Sequence, residues 1–350
     1  MDVLTRRIVL LGKTGAGKSS LANTILGEDV FKISHSPTSE ISLTHSETKY
    51  VNGKSITLID THSFFDTSEI ESEISLKSDI LRCITECAPG PHAFLIVLKV
   101  EKFTQQEKEV IKKICQHFSE DALKYAAVVF THGDQLHEGM KIEEFVTQNE
   151  GLDDLVRKCG GRCHVVDNKY WKDNKEDDYR NNQFQVAQIL NTTDKINEAN
   201  EGSCYTNEML QDVKRDIQRE QEKIRQSSGN MSLEEIRNRA IMNVSENILI
   251  RLTGLATGVL LGALFGVAEM VTKMVVNLQV PSNSTALAST ARTTVASAAL
   301  RGGVRGSQIG YDAAEGAENP TEAVQRAAKA MWDSARSGFG AGAASDQNSK

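Results

Sequence analysis

Residues 6–26, RRIVLLGKTGAGKSSLANTIL, join a short apolar run to a glycine-rich loop and then to a segment with helical periodicity. Residues 7–11 predict a short buried strand, and Leu21 and Ile25 are spaced as on one face of a helix. The loop between them matches the pattern GxxxxGK[ST], which binds phosphate where it connects a strand to a helix. This stretch therefore predicts a P-loop at the carboxyl end of the first strand of an α/β domain.

Each residue type in this loop has a chemical reason. The glycines let backbone N–H groups close around phosphate oxygens, and the following helix N-terminus adds partial positive charge. Lys18 supplies a cation for the β- and γ-phosphates, and the Ser19 hydroxyl is a ligand for Mg²⁺. The predicted nucleotide-binding residues of the loop are Gly12, Lys13, Thr14, Gly15, Ala16, Gly17, Lys18, Ser19 and Ser20.

The remaining strands follow from apolar runs. Residues 93–98 and 126–130 are uninterrupted apolar stretches, as expected for parallel strands covered on both faces. Asn52-Gly53 separates two further strand-like segments, and this dipeptide favours a tight hairpin. The sequence therefore predicts a Rossmann-like α/β fold with a mixed, mostly parallel sheet, flanking helices and one antiparallel strand.

Two later motifs indicate which nucleotide the loop binds. Asp60 ends the third predicted strand and suits a contact to Mg²⁺ through water. Thr131-His132-Gly133-Asp134 follows the strand at 126–130. A carboxylate there accepts hydrogen bonds from both the N1–H and the 2-amino group of guanine, whereas adenine offers no such pair of donors. The predicted ligands are therefore GTP or GDP with Mg²⁺.

With these motifs in order, the sequence resembles the GIMAP family of immunity-associated GTPases, a septin- and Toc-related branch of the P-loop GTPases. The resemblance covers about residues 6–200. It includes the segment 88–94, which is similar to a conserved box of that family, and the TxxD form of the guanine motif. Residues 159–162 followed by 167–169 resemble the fifth motif, which implies that Asn168 contacts the base.

The chain departs from the family pattern at positions tied to hydrolysis. The third motif reads Asp60-Thr61-His62-Ser63 where relatives have Asp-Thr-Pro-Gly, and no glutamine follows at the usual water-positioning place. The position of the switch threonine that completes the Mg²⁺ shell is occupied by Ile41, which cannot bind a cation. Substitutes that require a shifted loop are Ser39, Ser42 and Thr44.

The candidates for a catalytic role are Lys102 and His62. Lys102 stands where relatives often have arginine, and lysine keeps the charge but not the planar fork of an arginine finger. His62 is a candidate general base without an identified partner. Because an effective finger is worth roughly 10³–10⁵ in rate, we expect nucleotide binding with weak intrinsic hydrolysis.

Composition restricts the remaining function classes. Hydrophobic residues make up 39% of the 350 residues, which is enough for a real core and argues against a disordered chain. Lys and Arg total 40 against 47 for Asp and Glu, so the net charge of −7 argues against a general nucleic-acid binder. The first residues do not resemble a secretory signal, so we expect a cytoplasmic protein with free thiols.

The chain is expected to have four parts. Residues 1–200 form the G domain, 201–245 a charged helical extension, 246–280 a hydrophobic glycine-striped helix, and 281–350 a mostly flexible tail rich in Ala, Gly and Ser. The extension either folds back on the sheet domain or pairs with a partner. The apolar stripe that would make this contact consists of Leu210, Val213, Ile217 and Ile224.

Residues 252–268 are an uncharged run of 17 residues, close to the lower limit of about 17 residues for a membrane-spanning helix. Glycine recurs every fourth position within it, at 254, 258, 262 and 266, which leaves a stripe suited to close helix approach in membranes. Two alternatives remain open. The segment anchors the protein to the cytosolic face of an internal membrane, or it is instead a buried helical hairpin or a segment that packs against its own chain.

The main functional hypothesis is a GTP-controlled scaffold that self-associates through its G domain, at an internal membrane, with weak hydrolysis. One alternative is a GTPase activated by dimerisation. The second is a pseudo-GTPase interaction module that binds no nucleotide.

Overall fold

The computed structural model describes residues 5–33, 44–61, 64, 73–101, 105–172, 178–227, 231–252 and 255–279. Several predicted positions lie outside these residues. They are Ser39, Ile41, Ser42, His62, Ser63, Lys102, Gly254 and the segment 281–350.

A six-stranded sheet forms the centre of the molecule, with strand order β2-β3-β1-β4-β5-β6. All neighbouring pairs are parallel except β2 with β3. This arrangement confirms the predicted α/β fold. The strands are β1 (Arg6–Leu11), β2 (His45–Val51), β3 (Lys54–Asp60), β4 (Ala93–Lys99), β5 (Ala126–Thr131) and β6 (Cys163–Val165).

The hairpin between β2 and β3 turns at the predicted dipeptide. Asn52 and Gly53 have φ angles of 48° and 82°, which are the positive values that a two-residue type I′ turn requires. The resulting register places His45 opposite Asp60, so the hairpin brings the start of β2 beside the end of β3.

Helices cover both faces of this sheet. Along β1, Val9 and Leu11 face one core, whereas Ile8 and Leu10 face the other, as the alternation of a strand requires. The helices are α1 (Lys18–Leu26), α2 (Glu73–Cys87), α3 (Gln105–His117), α4 (Glu120–Leu123), α5 (Ile142–Thr147), α6 (Glu150–Lys158), α7 (Asn182–Ala199), α8 (Glu208–Ser227), α9 (Leu233–Arg251), α10 (Thr257–Leu264) and α11 (Ala268–Gln279).

The charged extension folds back on the sheet domain. The predicted stripe of α8 is buried in the same core as α2, together with Met209, which the stripe did not include. Helix α9 begins at a complete capping box formed by Ser232 and Glu235. Of the two arrangements left open by the sequence, the structure therefore has the intramolecular one.

The prediction of one glycine-striped helix over 246–280 is wrong. Helix α9 ends at Arg251, and α10 and α11 follow as separate helices at an angle of 107°. The break lies at Gly266, whose φ of +82° is a left-handed conformation that ends a helix. A Cβ at this position would lie 2.4 Å from the Tyr205 hydroxyl oxygen and 2.9 Å from Ser119 Oγ, so close packing also requires glycine.

Most of the apolar side chains of α10 are buried within the chain. Leu260, Leu264 and Phe265 have no exposed surface, and Phe265 stacks on Phe118 with ring centroids 3.9 Å apart. Within the described ranges, no single helix is both long and apolar enough to cross a membrane, although α10 and α11 together reach that length and hydropathy as a bent pair. In the structure, the segment packs against its own chain.

The glycines of this segment should differ in their tolerance of alanine. Gly258→Ala is expected to leave stability unchanged or raise it by about 0.5–1 kcal/mol, because the nearest atom to a new Cβ is His117 Cε1 at 3.9 Å. Gly266→Ala should lower the free energy of unfolding by about 2 kcal/mol or more, because it combines a strained φ with overpacking. Urea unfolding of the full chain measures both. Equal effects, as a uniform glycine stripe would give, contradict the observed packing.

Candidate nucleotide-binding site

The glycine-rich loop follows β1 and approaches the neighbouring strand closely. A Cβ on Gly12 would lie 2.4 Å from the Val97 carbonyl oxygen of β4, so no other residue fits without a shift. Gly17, with φ of 88°, precedes the first turn of α1 as its N-cap. The loop therefore ends at a helix N-terminus, where unsatisfied N–H groups and the helix dipole favour an anion.

Lys18 lies against this loop rather than in solvent. Its side chain is 8% exposed, and Nζ donates hydrogen bonds to the carbonyl oxygens of Gly12, at 3.0 Å, and Lys13, at 3.1 Å. These two bonds hold the ammonium group at the loop backbone. The position matches the requirement for a cation next to bound phosphate.

Ser19 and Asp60 meet between α1 and the end of β3. The Ser19 hydroxyl donates to Asp60 Oδ2 at 2.5 Å. Both side chains offer oxygen atoms, which are the metal ligands that Mg²⁺ prefers. The structure thus brings together the two residues predicted from separate motifs to hold the metal ion.

Thr44, a suggested substitute for the switch threonine, is held by α2. Its hydroxyl donates to the Asp79 carbonyl oxygen, and its N–H donates to Asp79 Oδ1, each at 3.1 Å. The side chain is completely buried. A role for Thr44 as a metal ligand therefore requires these bonds to break.

The TxxD loop is tied directly to the P-loop. Thr131 Oγ1, at the end of β5, donates to the Ala16 carbonyl oxygen at 2.8 Å. His132 then adopts a left-handed conformation with φ of 60°, and a short 3₁₀ helix spans Gly133–Gln135. This geometry places the two predicted motifs at the same edge of the sheet.

Position 133 must be glycine because the Trp171 ring packs closely against its backbone, a contact that the sequence did not indicate. A Cβ on Gly133 would lie 2.4 Å from the Trp171 ring, which is buried against it. The Gly133 N–H donates to the Val166 carbonyl oxygen at 3.0 Å, joining this loop to the chain after β6. The sequence signal was weak, since Trp171 lies only three residues after Asn168 but outside the recognised motif.

Asp134 is positioned by a second carboxylate. Its N–H donates to Asp167 Oδ2 at 3.3 Å, and burial together with a hydrogen bond to Asp167 raises the pKa of Asp134. Burial alone would raise the pKa of Asp167 too, but hydrogen bonds from the backbone of Tyr170 and Lys169 and from Asp134 hold it below its usual value. Asp167 adjoins Asn168 in the fifth motif, and its role in holding the Asp134 loop is visible only in the fold.

Asn168 lies close to both the P-loop and α1. Its Oδ1 accepts a hydrogen bond from Thr24 Oγ1 at 2.9 Å, and its Nδ2 would lie 3.4 Å from a Cβ on Gly17. The residue implied to contact the base therefore adjoins the phosphate loop in the structure.

Lys13 has an acidic partner. Its Nζ lies 3.1 Å from Glu101 Oε1, just beyond the end of β4. This ion pair links the P-loop to the segment that leads to Lys102, which is itself outside the described residues.

Comparisons with known proteins are in accord with this geometry. A family model described as the AIG1 family matches residues 6–225. GTPase IMAP family member 8 of Mus musculus is 33% identical over 172 residues, which are 48% of this chain and 25% of that protein. Immune-associated nucleotide-binding protein 7 of Arabidopsis thaliana is 32% identical over 256 residues, which are 69% of this chain and 78% of that protein. The chain thus spans a quarter of the mouse relative and more than three quarters of the plant one.

A solved structure of Toc33 from Arabidopsis thaliana in complex with GDP and Mg²⁺ is similar at a TM-score of 0.42 with 19% identity, covering 56% of this chain and 85% of that one. The family model matches well over half of the chain, and the plant relative is matched over most of its length. The chain therefore belongs to the AIG1 family.

Proposed function

We propose that the chain binds GTP and GDP with Mg²⁺ and uses the bound nucleotide to control its self-association. The observation that carries the proposal is the hydrogen bond from Thr131 to the Ala16 carbonyl oxygen, because it joins the phosphate loop to the base-reading loop. Lys18 then binds the phosphates and Asp134 binds the base of the same nucleotide.

In this site the backbone N–H groups of the loop and the Lys18 ammonium group bind the phosphates. Lys18 exchanges its two carbonyl partners for phosphate oxygens, which are stronger acceptors because they are charged. The Asp134 carboxylate accepts hydrogen bonds from N1–H and the 2-amino group of guanine. Asp167 keeps the loop in place by accepting the Asp134 N–H.

Ser19 and Asp60 are the residues that would hold Mg²⁺, the hydroxyl directly and the carboxylate through water. When bound, the ion neutralises charge on the β- and γ-phosphates. The hydrogen bond between the two side chains supports this assignment, since Ser19 lies in the first turn of α1, directly after the P-loop.

The proposal includes only weak hydrolysis. By the resemblance to the GIMAP pattern, Ile41, Ser63 and Lys102 stand at the positions expected for the Mg²⁺ shell, the γ-phosphate contact and the cationic finger. None of these three positions is among the residues assigned to guanine or to the P-loop. Binding should therefore persist where turnover is slow.

Self-association through the nucleotide face is the second part of the proposal and is supported by the resemblance to GIMAP proteins. The proposal does not require a membrane anchor at 252–268, because most apolar side chains of α10 are buried and the helix packs against α2.

Titration of the full-length chain with fluorescent GDP and with a non-hydrolysable GTP analogue, in Mg²⁺, tests the proposal while light scattering reports mass. We expect micromolar or tighter binding of both, with a doubling of mass only with the GTP analogue. Adenine nucleotides are the control and should bind much more weakly. Binding without a change in mass contradicts the self-association, and no binding of either guanine nucleotide leaves the pseudo-GTPase alternative.

A further inference from the structure

A cavity of about 250 Å³ lies on the opposite side of the sheet domain from the P-loop. It is bounded by the start of β1, the end of α2, and the facing sides of α8 and α9. Three cationic residues from three different elements line it, namely Arg7, Lys214 and Arg237, and no lining residue is acidic. In a chain with net charge −7, this concentration of positive charge requires a reason.

The guanidinium group of Arg7 is held in place by hydrogen bonds from Nε to the backbone. Nε donates to the carbonyl oxygens of Cys87, at 3.1 Å, and Gly90, at 2.9 Å. Its Nη atoms make no hydrogen bond within the described part of the chain. Burial together with the positive charges of Arg7 and Arg6 lowers the pKa of the neighbouring His92 to about 4. A rigid cation with free donors thus faces the cavity.

Lys214 differs from the other cations of α8 because no acidic residue lies three positions before it. The other cations in the middle and end of α8 each pair with an acid three residues earlier, whereas the residue three before Lys214 is Gln211. Neither Lys214 nor Arg237 has an ion pair among the residues that the structure describes. The paired cations are Arg215 with Asp212, Arg219 with Asp216, Lys223 with Glu220 and Arg225 with Glu222.

We propose that this cavity binds a small ligand through a phosphate group. A phosphate carries about two negative charges and several acceptor oxygens, so it matches three cations better than a single carboxylate does. The amides of Gln218 and Gln221 line the same space and add neutral donors. Ligand pockets for drug-sized molecules are about 300–1,000 Å³, so this volume suits one phosphorylated headgroup or free phosphomonoester rather than a nucleotide.

The cavity is separate from the nucleotide site. Arg7 is the second residue of β1, and Gly12 follows the other end of that strand. Five residues of extended chain span about 16 Å. A ligand can therefore occupy the cavity while the P-loop holds its own phosphates.

Calorimetric titration of the full-length chain tests the proposal, with GDP and Mg²⁺ at saturation so that the P-loop is occupied. The probes are inositol 1,4-bisphosphate as the soluble source and phosphatidylcholine vesicles with or without phosphatidylinositol 4-phosphate as the lipid source. Lys214→Gln should weaken binding about tenfold, and adding Arg237→Gln should weaken it further, as expected for lost charge-assisted hydrogen bonds. Lys223→Gln is the matched control, since it removes the same charge from the same helix outside the cavity, and should change affinity little.

Binding of the soluble probe alone supports a free phosphomonoester as the ligand, and binding of both probes supports a lipid headgroup. Equal weakening by Lys214→Gln and Lys223→Gln overturns the proposal, because it indicates general attraction to a charged surface. The absence of millimolar or tighter binding to either probe also overturns it. Arg7 is left unchanged because its bonds to the loop after α2 support the fold.

Discussion

Lys18→Ala is expected to weaken binding of GTP by roughly 10²–10⁴-fold and binding of GDP by roughly 10–10²-fold, because each charge-assisted bond to a phosphate is worth about 1.5–3 kcal/mol and GDP lacks the γ-phosphate. In the structure the ammonium group is held by the Gly12 and Lys13 carbonyl oxygens, within the loop that would bind those phosphates. Titration of the full-length chain with fluorescent GDP measures the loss.

The substitution also leaves two loop carbonyl groups without their donor, so a change in folding must be separated from a change in binding. Lys18→Met keeps most of the side-chain volume and should lose affinity to the same degree, because the charge is what binds. Lys124→Ala removes a lysine that is paired with Asp121 at the surface and should bind normally. If both Lys18 variants unfold at the temperature of the unmodified chain and bind GDP within threefold of it, the P-loop is not the phosphate site.

Asp134→Asn should change the base that the protein selects. We expect guanine nucleotide affinity to fall roughly 10²–10³-fold, because an amide nitrogen replaces one acceptor oxygen and leaves donors of the base unpaired. Xanthine nucleotides should gain affinity, since their 2-oxo group accepts a hydrogen bond from the asparagine amide. Competition of GDP and xanthosine diphosphate against a fluorescent nucleotide measures the change in preference.

The pH dependence of GDP binding gives a second readout. The ionised carboxylate is the form that accepts from guanine, and the pKa of Asp134 is raised. Affinity for GDP should therefore be maximal above that raised pKa and decline as pH falls through it. The decline should begin at a higher pH than it would for an ordinary aspartate. Asp121→Asn alters an exposed carboxylate away from the site and should change neither property. Retained guanine preference in Asp134→Asn would assign base reading to another residue.

The local sequence was sufficient for the sheet and for the phosphate end of the site. Apolar runs predicted β4 and β5, and Asn52-Gly53 predicted the hairpin. Both predictions succeed because the spacing of apolar residues and the conformation of a tight turn depend on residues that are neighbours in the chain. Ser19 and Asp60 were assigned to one ion from separate motifs. They meet because the carboxyl ends of parallel strands lie at one edge of the sheet.

Other features depended on which distant surfaces come together. The glycine stripe predicted one helix, but Gly266 ends α10 because Tyr205 and Ser119 approach its backbone from other parts of the chain. The contact of Trp171 with Gly133 and the pairing of Asp134 with Asp167 likewise join separate loops.

The cationic cavity is the clearest case. Its three cations share no motif, and more than 200 residues separate Arg7 from Lys214 and Arg237 in the sequence. The sequence by itself therefore determined the strands, the P-loop and the expected ligand, since these follow from local pattern. Only the tertiary structure decided how the C-terminal helices pack and which charges meet, because docking of helix faces is set by side-chain shape and burial across the whole core.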